Sequence, residues 1–187
     1  MELPIIFEKN FMKNFRVIAA FLGLLLSYTS SFSQTGFRKE KVGHVFNISL
    51  PEYMNKTLGL NDAAAIQFVN NQIDIAGIVV LDTKSELALA ELNFASAEAF
   101  YKDFMTDFLA DEASKKIGEP VSKVMGKNNY VECQASYFDT EVNMELHYFI
   151  GIVETPNAYY KVLCWGSKEN LEKYLGDFQK ILYSIQD

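Results

Sequence analysis

The residues of this chain that could do chemistry are two histidines, two cysteines and a spaced run of aspartates. His44 and His147 are too far apart in sequence for a recognisable metal motif, and neither belongs to a His-Glu-x-x-His pattern. A surface or sheet-face imidazole is the better reading. Cys133 and Cys164 admit three roles: a disulfide, a reactive pair, or two packed thiols. Asp103, Asp107 and Asp111 recur every fourth residue and would share one helix face. Three carboxylates on one helix do not wrap around calcium, which leaves a solvated face. Asn47-Ile-Ser49 and Asn55-Lys-Thr57 fit the glycosylation pattern, which matters only in a host with that machinery. No serine nucleophile elbow, phosphate-cradling glycine loop or local Cys-His pairing is present. The sequence therefore assigns no catalytic, cofactor-binding or metal-ligating residue.

The elements that would position these residues are strands first. Val45 to Leu50 alternates with Phe46, Ile48 and Leu50 inward, and Pro51 stops it. Asn55 to Leu60, Ala64 to Val69 and Ala76 to Leu81 follow, the last apolar enough to lie centrally in a sheet. Ser85 to Leu92 reads as a short helix. Ser96 then caps a longer one, with Phe100, Tyr101, Phe104, Met105, Phe108 and Leu109 as its apolar stripe. Four strands are predicted beyond Pro120: Val121 to Lys127, Tyr130 to Phe138, Val142 to Val153 and Tyr159 to Trp165. Ser167 caps a final helix whose stripe runs from Leu171 to Ile185 at strictly helical spacing.

A two-residue turn at Thr140-Glu141 would place Cys133 opposite Tyr148. An odd-length loop near Pro156 would place Cys164 opposite the same tyrosine. The two thiols would then flank one strand, about 9.5 Å apart, beyond the roughly 7 Å a disulfide spans. Packed, inert thiols are the expectation. The same register sets His147 between Gln134 and Trp165, Phe149 between Glu132 and Leu163, and Lys161 beside Gly151. Gln134, His147, Phe149, Lys161 and Trp165 would then form an aromatic and polar patch around the single tryptophan, a residue type enriched in binding hot spots. A helix covering that face would make Trp165 core instead.

Location is read from the N-terminus. Met12-Lys-Asn-Phe-Arg16, the apolar run Val17 to Leu26, and Ser31 and Ser33 at −3 and −1 describe a secretory signal peptide cleaved before Gln34. The apolar run is shorter than the roughly 20 residues of a membrane span. Glu2 and Glu8 suit a signal poorly, which favours Met12 as the start. With residues 1–33 removed and 34–43 as a loose leader, one domain spans 44–187. The net charge of −7 becomes −8, because the removed segment carries three basic and two acidic residues. That charge repels phosphate backbones, which argues against nucleic acid, and disfavours adhesion to anionic lipid; with the apolar run cleaved off, no stable membrane insertion is expected.

The opening Phe46-Asn-Ile-Ser-Leu-Pro51, the order of strands, helix, meander and final helix, and the closing Tyr159-Tyr-Lys-Val-Leu-Cys-Trp165 with Ile181-Leu-Tyr-Ser-Ile185 resemble the PsbP-like family, whose fold is shared with the Ran-binding Mog proteins. The resemblance covers roughly residues 44–187. It implies an α+β fold, an antiparallel sheet sandwiched by helices, and a non-catalytic role in binding or assembling other proteins. The ion-binding positions of that family have no match here, so no ligand residue or cofactor is carried over. Three functions follow as expectations. The first is an exported, secreted or periplasmic binding module for another envelope protein. The others are a carrier for a small apolar ligand and an enzyme whose site is assembled from distant residues.

Overall fold

A computed structural model describes residues 35–112, 114–141 and 143–187. The predicted signal peptide and Val142 lie outside the described residues. The strands are β1 (Phe37–Val42), β2 (Phe46–Pro51), β3 (Asn55–Thr57), β4 (Ala64–Asn70), β5 (Ile75–Thr83), β6 (Lys116–Ile117), β7 (Val121–Met125), β8 (Asn128–Asp139), β9 (Met144–Glu154) and β10 (Ala158–Gly166). The helices are α1 (Lys84–Leu89), α2 (Ala97–Asp107) and α3 (Lys168–Tyr183). Eight strands form one antiparallel sheet in the order β3-β4-β5-β10-β9-β8-β6, with β7 also on β8, and β1 pairs with β2 in a separate two-stranded sheet. This is an α+β fold, as the sequence predicts.

Each helix starts where its sequence supplies a cap. Thr83 Oγ1 accepts the Glu86 N–H at 3.2 Å and donates to the Glu86 carboxylate at 2.6 Å, an N-cap that opens α1. Ser96 Oγ accepts from Ala99 N–H and Ser167 Oγ from Asn170 N–H, both at 3.2 Å. α1 and α2 end before Glu91 and Leu109, which take left-handed φ angles of 60° and 59°.

The sheet separates two apolar layers. On one face Phe68, Val79, Phe149, Val153, Tyr160, Val162 and Cys164 pack under α3 and the β1–β2 hairpin. Phe46 meets Tyr160 edge-on at 4.9 Å. On the other face Ile78, Val131, Cys133, Ile150, Ile152 and Leu163 pack under α2. Among the described residues no helix is long and apolar enough to cross a membrane.

Three sequence-derived expectations change here. Phe37–Val42, read as leader, is a strand. It has little apolar content and is held instead by backbone pairing with β2 and by charges: Arg38 donates to Pro51 O at 3.1 Å, and Glu40 pairs with Arg38 and Lys56 at 2.9 Å each. The β8–β9 turn spans four residues, Asp139 pairing with Met144, so Cys133 faces Ile150 rather than Tyr148. That slip of two residues keeps the face. At β9–β10, Thr155 N–H donates to Ala158 O at 2.9 Å, closing a two-residue turn at Pro156-Asn157, and Thr155 Oγ1 accepts the Asn157 and Ala158 N–H groups. The loop is even, not odd, so Cys164 pairs with Phe149 and the whole apolar set of β10 reverses face relative to expectation.

Candidate functional site

The reversed parity of β10 divides the expected patch. Gln134 and Phe149 are cross-strand neighbours, and His147 lies between Ser136 and Gly166, all on the α3 side of the sheet. Phe149 is buried in that layer, 6.2 Å from Phe178. His147 is mostly covered, with Nε2 3.4 Å from the Glu145 carboxylate. Trp165 and Lys161 face the other way, toward α2. Trp165 stacks on Tyr148 at 5.9 Å, half-buried. Lys161 sits opposite Val80 and Ile152, not beside Gly151.

Lys161 leads to the most chemically featured hollow, a cleft of about 450 Å³ between α1, α2 and the sheet. It forms because β5 ends in the α1 cap and the chain returns through Leu92 and Phe94 before α2 begins. That route leaves the end of β5 and the start of β10, which pair there, roofed only by side chains. The walls are Leu87, Leu92, Phe94, Phe100, Phe104 and Phe108, and the polar groups are Asp82, Lys161, Asp103 and Asp107. Asp82 and Lys161 are diagonal neighbours on β5 and β10, with Nζ 2.7 Å from Oδ2 and 20% and 27% of the lysine and aspartate side chains exposed. The ammonium lies 5.6 Å from the Phe100 ring and 5.7 Å from the Phe104 ring, a cation–π arrangement in a partly dry setting.

Rings carry the order outward from this centre. Phe100 stacks on Tyr159 at 4.4 Å, and Phe94 meets Phe100 edge-on at 5.1 Å. The Tyr159 hydroxyl donates to Phe94 O and to the Glu154 carboxylate, each at 3.2 Å, which fixes the entry to α2. Burial, with Glu154 beside it, pushes the Tyr159 hydroxyl up to about 12, so it stays a donor. Phe104 stacks on Phe108, Phe108 meets Tyr148, and Tyr148 reaches Trp165. The single tryptophan is therefore two ring contacts from the cleft. Asp103 and Asp107 project from the exposed side of α2, whereas Asp111 lies past its end and does not continue their face.

The sequence reading reached Lys161 and Trp165 but missed Asp82, Phe94 and the role of α2. The signal was present as two adjacent period-four stripes, Phe100/Phe104/Phe108 and Asp103/Asp107, and as a carboxylate extending a central apolar strand. A larger hollow of about 550 Å³ beside β3 and β4 is lined by Lys56, Leu58 and Ala64 to Gln67, with no aromatic side chain and with its one charged group, Lys56, paired outward to Glu40. Among the described residues no group of three or more His, Cys, Asp or Glu converges as a metal site.

The fold is similar to that of cyanobacterial PsbP from Synechocystis sp. PCC 6803, with a TM-score of 0.58 at 11% identity over 84% of this chain and 95% of that one. A protein of unknown function from Pseudomonas aeruginosa matches at TM-score 0.49 and 8% identity, over 81% of this chain and 96% of that one. No protein-family model matches the sequence, and no curated protein matches it. The likeness to cyanobacterial PsbP shows the PsbP-type fold that the Phe46–Pro51 opening and the strand–helix order suggested.

Proposed function

We propose that this chain is an exported, non-catalytic binding module that docks another envelope or secreted protein in the cleft between α1 and α2. The observation that carries the reading is the Lys161–Asp82 pair beneath Phe100 and Phe104. The lysine that could act as base or nucleophile is paired with a carboxylate and flanked by rings, an arrangement that suits holding a partner more than transforming one. Leu92, which lines the cleft, is 46% exposed, and Leu89 on α1 is 86% exposed; exposed apolar side chains of this kind suit an interface core. Export rests on the Met12 to Ser33 pattern, and mass spectrometry of exported protein should show a chain beginning at Gln34.

Photo-crosslinking tests the module. p-Benzoylphenylalanine placed at Leu92, on the rim, should crosslink the full chain to a polypeptide in native cells. The same group at Val45, 53% exposed on the β1–β2 turn, should not. No polypeptide adduct at Leu92, or equal adducts at both positions, would overturn the reading. A small aromatic ligand is the second reading, favoured by a volume of about 450 Å³, which lies within the usual range for small-molecule pockets. It requires that adducts at Leu92 be absent.

A further inference from the structure

The charge around the cleft is uneven enough to identify what it binds. Residues 82–112 carry eight carboxylates against two lysines, a net of −6 in a chain whose total is −7. Among the cleft's own lining residues are three carboxylates and one ammonium, and Asp82 already forms an ion pair with that ammonium. The carboxylates of Asp103 and Asp107 have no hydrogen-bond or ion-pair partner among the described residues, and both residues stand exposed at the mouth. The molecule also shows in miniature what the cleft holds: Lys161 lies within 6 Å of two phenylalanine rings with a carboxylate at contact distance. Farther out, Phe108 stacks on Phe104 beside Asp103 and Asp107, and among the described residues no cation of the chain lies over the Phe108 ring.

We infer that the cleft takes a basic segment of a partner polypeptide, with a lysine or arginine set between the Phe104–Phe108 wall and the Asp103/Asp107 carboxylates and an apolar neighbour against Leu92. This rests on the docking function proposed above and gives the partner its chemistry. Aromatic faces attract a cation through their quadrupole, and carboxylates at the rim steer it there at a rate that falls with salt. An acidic or neutral segment would meet uncompensated negative charge.

The test uses the exported chain and a short synthetic peptide of alternating lysine and leucine, with its glutamate–leucine counterpart as control. Trp165 emission and calorimetry are the readouts, since Trp165 is joined to the cleft through Tyr148 and Phe108. The basic peptide should bind and change the emission, and binding should weaken with salt. The acidic peptide should not bind. Asp103→Asn/Asp107→Asn should weaken binding about tenfold, as expected for losing two partly exposed charge contacts. Glu91→Gln/Asp111→Asn makes the same change in net charge at exposed positions outside the lining, and should alter binding by less than about twofold. Equal losses from the two pairs would reduce the effect to diffuse surface charge and overturn the proposal. So would binding of the acidic peptide, self-association through the cleft, or a Trp165 response to calcium alone that Asp103→Asn/Asp107→Asn abolishes. Adducts at Leu92 without binding of the basic peptide would sink this chemistry and leave the docking reading standing; loss of both would remove both.

Discussion

Cys133 and Cys164 point to opposite sides of one sheet: Cys133 pairs with Ile150 and faces α2, while Cys164 pairs with Phe149 and faces α3. The sheet itself stands between the two thiols. Cys133 Sγ also donates to Gly118 O at 3.1 Å, tying the turn before β7 to β8. Both thiols are buried, and burial pushes each above its ordinary value of 9.0. Protein purified without reductant should therefore titrate two thiols after denaturation and few before it. Its intact mass should lack the two-hydrogen loss of a disulfide. Cys164→Ala should cost about 1 kcal/mol as a small lost core group, with binding unchanged. A native disulfide would require one strand to reverse face.

Gly151 of β9 lies directly beneath Leu182 of α3. A Cβ there would lie 2.5 Å from Leu182 Cδ1 and 2.9 Å from Cδ2. The leucine is fully buried with Phe178 and Ile181, so it has little room to yield. Gly151→Ala should lower stability by about 1–3 kcal/mol, the usual cost of overpacking. Denaturant melts with an unchanged m-value would show it, and a neutral result would mean α3 rides higher on the sheet.

Much of this architecture is legible in the residues, and the limit is instructive. The final helix is readable because Leu171, Phe178, Ile181, Leu182 and Ile185 repeat at helical spacing and all end buried. The faces of β8 and β9 are readable too, since a turn longer by two residues leaves parity intact. Parity fails at Pro156, where Thr155 decides between an even and an odd loop through its own hydroxyl. Both faces of β10 are apolar, so hydropathy there cannot choose between them. The cleft was hidden for the same reason: Lys161 joins Asp82 and α2 only once β10 has its correct face. β1 was missed because charge pairs hold a strand that hydropathy cannot mark.

Glu154 gives the fold an acid-sensitive point. Burial alone would raise its carboxyl, but Lys84 at 2.8 Å, Asn129 at 2.9 Å and the Tyr159 hydroxyl hold it below the ordinary 4.5. A depressed native value means the stabilisation is fully present above pH 4.5 and is lost as pH falls through the native value. Glu154→Gln should cost about 1.5–3 kcal/mol at neutral pH, the range for hydrogen bonds to a charged group. It should also flatten the acid limb of a stability-against-pH curve. An acid limb unchanged by Glu154→Gln would assign that sensitivity to other carboxylates.

The Lys161–Asp82 pair can be dissected by a double-mutant cycle. With roughly a quarter of each side chain exposed, both charges are partly desolvated. Removing one leaves the other without its counter-charge under Phe100 and Phe104, so Lys161→Met or Asp82→Asn alone should each cost about 1–3 kcal/mol. The double variant should cost less than their sum by about 0.5–3 kcal/mol, because contacting partners couple. Lys161→Met should carry a second signature that Asp82→Asn lacks: loss of the cation near Phe104 should change how the Trp165 emission responds to the basic peptide. Additive costs would mean the two charges do not meet in solution. The inner half of the cleft would then be open to a partner's cation, and Asp82, not only Asp103 and Asp107, would be expected to receive it.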